Sequence, residues 1–234
     1  MNKIKMTVVS ALALALGACV PQEKVSFVAL THQQVIIRDG QAGLISTRAG
    51  TDVVVQPASR AVNPGQRPIL VVGVRNNGSA PVNLLLSNVR VRQTIAGKVV
   101  RELPVKTYEQ LVKEEQTRQV VAAILVGAAA GANSAAAANR YQTPIAQQIA
   151  LDRAAWQNAN MVGNAAAAGQ FNLASLEANV LKDNTLMPGE WVGGQVHFEA
   201  PSEVENGAPK TYSVVIEVGG DTHVIDVVQA RVAS

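Results

Sequence analysis

The sequence carries a single cysteine, Cys19, among its 234 residues, so no disulfide forms within the chain. It has three histidines and eight aromatic residues, two of them tryptophan, which leaves little surface for stacking bases or sugar rings. The histidines show no metal-ligand spacing. His197 and His223 on strands near Glu199 and Asp226 come closest to one, and ordinary surface strand positions explain them better. No Gly-x-Ser-x-Gly elbow, glycine-rich phosphate loop or His-Glu-x-x-His motif occurs. No pair of carboxylates stands in apolar surroundings, where acid–base chemistry would need it. The expectation is a protein that is not an enzyme and has no metal and no cofactor. Strong net charge is also lacking. The formal charge is +3, but Lys3 and Lys5 belong to a leader, and without them 18 basic residues face 17 acidic ones. That balance predicts no nucleic-acid partner. Apolar residues are plentiful, at 48% against 16% charged, enough for a packed core.

Residues 1–18 combine a short basic head, an apolar run from Met6 to Leu16 and the small residues Gly17 and Ala18 before Cys19. This is the pattern of a secretory signal, and it is shorter than the roughly 20 apolar residues that span a bilayer. The ending Leu16-Gly17-Ala18-Cys19 resembles the lipobox of bacterial lipoproteins, with Gly17 a less usual choice at its position. The resemblance implies cleavage before Cys19 and acylation of its sulfur and new amino group. It also accounts for a lone cysteine in an exported chain, which an ordinary secreted protein would leave unexplained. Three acyl chains, at about 0.8 kcal/mol per buried methylene, amount to a permanent anchor. Val20 rather than Asp after the cysteine implies, by the sorting rule of enterobacterial lipoproteins, the outer membrane with the chain facing the periplasm.

Composition divides the remainder. After an acylated tether, 19–24, residues 25–105 read as strands: Val35-Ile36-Ile37, Val53-Val54-Val55 and the run from Pro68 to Val74 are bounded by turn signals such as Asn76-Asn77-Gly78-Ser79. Val89 and Val91 alternate with Arg90 and Arg92, as in a half-buried strand. Residues 106–184 change character, with 21 alanines in the 61 residues from Val120 to Val180. Thr107 and Gln110 have the spacing of a capping box, and Thr143-Pro144 that of an N-cap with proline in the first turn. These signals predict helices over about 108–138 and 144–161 and a third piece near 172–182, with Gly163 and Gly169 weakening the stretch between. Ile145, Ile149 and Trp156 share a helical stripe, interrupted by Asp152. Residues 185–234 return to strands around a Gly219-Gly220 hairpin turn. Seven to nine strands split by a helical insertion predict an α+β chain, a β-sandwich whose last strands pair with its first segment because an edge left open invites aggregation. The segment Val74-Arg75-Asn76-Asn77-Gly78-Ser79-Ala80-Pro81-Val82, with Pro188-Gly189 before a late strand, resembles bacterial immunoglobulin-like domains. That resemblance implies an immunoglobulin-like sandwich and no particular function.

The unusual segment is Val120–Ala138, with Asn133 and Ser134 as its only strongly polar residues. Ala123, Gly127, Gly131 and Ala135 form a small-residue ridge of glycine-zipper spacing that admits close helix–helix contact. Three readings stand open: a soluble hairpin packed on itself or on the sandwich, association of helices between copies, and insertion into a membrane. The expected function is a structural or protein-binding part of a cell-envelope assembly, fixed to the membrane by Cys19 and partnered by its own copies or other envelope proteins. The alternatives are an oligomeric membrane-inserting or channel-forming lipoprotein using 120–138, and a monomer capturing a small ligand in a cleft.

Overall fold

The structure is a computed structural model that describes residues 22–38, 40–95, 97–140 and 143–232. The signal segment, Cys19 and the start of the tether lie outside the described residues. Chain order begins with β1 (Glu23–Val28), β2 (Gln33–Arg38), β3 (Gln41–Thr47), β4 (Thr51–Pro57) and β5 (Ile69–Asn76). It continues with β6 (Val82–Leu84), β7 (Val89–Ile95) and β8 (Lys98–Leu103). Two long helices follow, α1 (Tyr108–Arg140) and α2 (Pro144–Asn179). The chain closes with β9 (Asn184–Leu186), β10 (Trp191–His197), β11 (Lys210–Val218) and β12 (Asp221–Arg231).

The strands form two five-stranded antiparallel sheets, ordered β1-β12-β11-β7-β8 and β10-β5-β4-β3-β2, with β6 and β9 paired beside them. Among the described residues there are twelve strands against the seven to nine expected; β6 and β9, three residues each, are too short to leave an alternating pattern. The expected closure is present: β1 pairs with β12 from Glu23↔Arg231 to Val28↔Asp226, and β10 pairs with β5. Alternation sorts the faces. Val53, Val55, Leu70, Val72 and Val74 from one sheet meet Val91, Tyr212, Val214, Ile216 and Ile225 from the other in one buried cluster. The β11–β12 turn is Gly219-Gly220, both with positive φ (60° and 83°), the geometry of a two-residue hairpin that glycine adopts without strain.

Two buried polar groups tie distant segments together. Asn76 donates to the carbonyls of Ala80 (2.8 Å) and Leu186 (3.0 Å) and accepts from the Gly78 N–H (2.9 Å), so it builds its own turn and holds β9. His223 on β12 lies between Ser46 (Nδ1, 3.0 Å) and Thr51 (Nε2, 2.9 Å) of the opposite sheet. Thr51 gives its proton to Asp221 (2.8 Å), so it accepts from Nε2–H and leaves Nδ1 to accept from Ser46. Burial pushes the His223 imidazole pKa down, which favours the neutral ring, and the two hydroxyl contacts choose its tautomer.

The capping box is formed: the Thr107 N–H donates to Gln110 Oε1 (3.0 Å) and the Gln110 N–H to Thr107 Oγ1 (3.3 Å). Thr143 is the N-cap of α2 with Pro144 in its first turn. The expected break within the second helical region is absent, and α2 runs unbroken through Gly163 and Gly169. Glycine costs about 1 kcal/mol in a helix interior. At Gly169 packing compensates, since a side-chain carbon there would stand 2.6 Å from Gln119 Cδ.

Candidate functional site

α1 and α2 form an antiparallel hairpin, each about 50 Å long at 1.5 Å per residue. Among the described residues, its bonds to the sheets gather at its root. Leu111 is buried there, Glu114 pairs with Arg67 (2.6 Å) and Lys106 (3.3 Å), and the Lys106 N–H donates to the His197 carbonyl (2.8 Å). On the returning side the Leu181 N–H donates to the Gln195 carbonyl (3.0 Å).

The seam between the helices is made of alanine and amides. Asn133 donates to Asn158 Oδ1 (3.0 Å), and Asn158 donates to the Ala130 carbonyl (3.1 Å) and Ser134 Oγ (3.0 Å). Near the root the buried Glu115 accepts from Asn172 (3.0 Å) and pairs with Arg118, while Gln119 donates to the Gly169 carbonyl (3.0 Å). Alanine buries little area, so these polar contacts set the register.

The large apolar side chains of the hairpin point outward. Val120, Val121, Ile124 and Leu125 on α1 are 51–65% exposed, and Ile145, Ile149, Trp156, Val162 and Phe171 on α2 are exposed as well. The Ile145–Ile149–Trp156 stripe is therefore exposed and not packed into the seam, with Ile149 bordering a groove it shares with Ala136 and Ala137 of α1. Ala123, Gly127, Gly131 and Ala135 are all exposed, and a side-chain carbon built on Gly127 or Gly131 meets nothing within 4 Å. The ridge is not what joins α1 to α2. Ala123 and Gly127 instead border a shallow groove with Val162 and Ala166. Among the described residues, α1 is the one helix long and apolar enough to cross a membrane, and the apolar stretch that qualifies it has no buried residue.

His197 and His223 lie on different sheets, β10 and β12, and both are buried between packed elements and not at the surface strand positions expected. Glu199 pairs with Arg101 (2.5 Å), and Asp226 accepts from Ser213 (2.5 Å). Among the described residues no group of histidine, cysteine and carboxylate side chains is placed to hold a metal. A cleft of about 820 Å³ opens between β7, β8 and the hairpin root over Leu86, Val89 and Leu103. Three of its rim charges are engaged: Asp183 accepts from the Leu86 N–H (2.6 Å), Lys182 pairs with Glu177 (2.6 Å) and Arg90 with Glu217.

His197 lines a small cavity at the root with Arg67, Leu111 and Glu114. Burial pushes its imidazole down to about 4; the Arg67 guanidinium acts in the same direction and Glu114 opposes both. A folded value below the ordinary one near 6.5 means the unfolded chain binds the proton more readily between those limits. Stability is therefore full above pH 6.5 and is lost as pH falls toward 4, by about 3 kcal/mol for this group. His223 adds to the loss in the same direction. The melting temperature should fall across that window, and His197→Gln should make the fall shallower. An identical slope in the variant would show that His197 does not titrate with unfolding.

Comparison with protein-family models, curated proteins and solved structures found no match.

Proposed function

We propose that this chain is a non-catalytic outer-membrane lipoprotein, anchored through acylated Cys19, that serves as a structural or protein-binding component of a cell-envelope assembly. In this reading the two sheets are an immunoglobulin-like sandwich facing the periplasm, and the hairpin contacts sister copies or another subunit. The observation that carries it is the hairpin, bonded to the sheets at its root and presenting apolar side chains and a bare small-residue ridge to its surroundings. Exposed apolar surface that is continuous along an element marks an interaction site in a soluble or envelope protein. The lipobox resemblance supports the anchor and the localisation.

The test is the native mass of the full lipidated protein extracted in mild detergent. A defined multiple of the chain mass is expected. Gly127→Leu or Gly131→Leu should reduce it without lowering the melting temperature, because either side chain has open space within its own chain and replaces a glycine inside a helix. A clean monomer overturns the assembly reading. An unchanged multiple in both variants removes the ridge from the contact.

A further inference from the structure

We infer that the outer face of α1, around Val121, Ile124 and Leu125, is covered by the hydrocarbon of a lipid bilayer, which deepens the assembly reading above and rests on it. The first observation is a belt without charge. On α1, 21 residues separate Arg118 from Arg140 with no charged side chain, and on α2, 23 residues separate Arg153 from Glu177. The Gln119–Gly169 and Asn133–Asn158 contacts put these stretches side by side, so 119–136 faces 154–170. The shared belt is about 25 Å tall, the height of the apolar band of outer-membrane proteins.

Charges close the belt at both ends. Lys113, Glu115, Arg118 and Glu177 stand on the root side, and Arg140, Asp152 and Arg153 on the tip side. Trp156 lies just inside the tip boundary and Phe171 near the root boundary, both exposed. Aromatic rings at the edges of an apolar band are the pattern of a membrane interface.

The second observation is where the chain leaves the sheets. The loop of residues 58–68 holds both exits: Val62 exchanges backbone hydrogen bonds with Glu23 (2.8 Å each way), and Arg67 pairs with Glu114 of α1. Gln22 is three residues beyond Cys19, a reach of about 10 Å at most. An acylated Cys19 would thus hold the loop close to the membrane surface, and the hairpin leaves beside that loop. Within the belt the seam amides are satisfied by one another and by backbone carbonyls, as polar groups in hydrocarbon must be. The exposed amides of Gln157, Asn160 and Asn164 form one line on α2, which contact between copies would cover.

The chain has two tryptophans, so Trp191→Phe leaves Trp156 as a reporter on the hairpin. The full lipidated variant would be reconstituted in phosphatidylcholine vesicles with plain acyl chains or chains brominated midway. Trp156 emission is expected to fall about twofold in the brominated vesicles, as for an indole within a bilayer. Trp156→Phe, which keeps only Trp191 on β10, should show no loss. Ile124→Cys carrying a polarity-sensitive dye gives a second readout, with a blue shift expected on reconstitution. Unquenched Trp156 with an unshifted dye overturns the bilayer proposal. If the protein is then still a defined multiple of the chain, sister copies cover the face and the assembly reading survives; if it is a monomer, both fail.

Discussion

Replacing Glu23 by alanine is expected to lower the melting temperature by about 10 °C, corresponding to about 3–5 kcal/mol in a chain of this size. Glu23 and Lys210 are each 2% exposed, with the Lys210 ammonium 2.9 Å from both carboxylate oxygens. Gln229 donates to the same carboxylate (2.5 Å), and Lys210 reaches Glu203 (2.6 Å), whose side chain is half exposed. Removing Glu23 leaves a buried ammonium with one partner at the solvent edge. The cost is that of the stranded charge, not the net worth of the pair. Glu23→Leu combined with Lys210→Met should therefore recover most of the loss, since it removes both desolvation penalties. A double variant no better than Glu23→Ala would contradict this account. Burial pulls the Lys210 pKa down, but hydrogen bonds and charges from Glu203 and Glu23 outweigh it and hold the ammonium above the ordinary lysine value. A raised folded value means this contribution is fully present below the usual lysine pKa and fades only as pH climbs through the folded one. The gap between native and Glu23→Ala melting temperatures should stay constant through neutral pH and narrow in strong alkali.

Gly194→Ala is expected to cost about 3 kcal/mol, at the upper end of overpacking penalties. Here β10 meets the chain leaving α2. A side-chain carbon on Gly194 would lie 2.6 Å from Leu181 N, 2.7 Å from Leu181 Cα and 3.0 Å from the Asn179 carbonyl oxygen. All three are backbone atoms, which cannot turn aside as a side-chain tip can. Val180 pairs in parallel with Gln195 at this point, so relief must come from separating the hairpin root from β10. Faster hydrogen exchange at Leu181 and new protease cleavage near Asn179 should accompany the lower melting temperature. Gly73→Ala is the control: its added carbon meets only the Trp191 ring, at 3.7 Å, and should be close to neutral. Equal behaviour of the two variants would mean that the root approach is looser than these distances.

Features governed by local chemistry were readable from residues alone. The Thr107–Gln110 box, Thr143-Pro144, the Gly219-Gly220 turn and the Val89/Val91 alternation each act within a few residues, and each is formed as expected. The joining of first and last strands followed from the need to cover an edge. Features that depend on distant partners were not readable. The helix seam is alanine against amide, so hydropathy gives no contrast to mark it, while the periodic Ile145–Ile149–Trp156 stripe is exposed. Gly169 reads as a breaker until Gln119, 50 residues away, is placed against it. Glu23 and Lys210 are separated by 187 residues, and nothing local announces that either is buried. The two histidines read as surface strand residues, yet both are buried, because which strand face a second element covers is not written in the strand itself.

The position of β12 bears on how the protein folds. It is a central strand, flanked by β1 and by β11, although it comes last in sequence among the described strands. Until residues 221–231 are available, β1 has no strand to pair with and the hydrophobic cluster lacks Ile225 and Val227. Closing a sheet between residues this far apart carries a large loop entropy and makes folding slow.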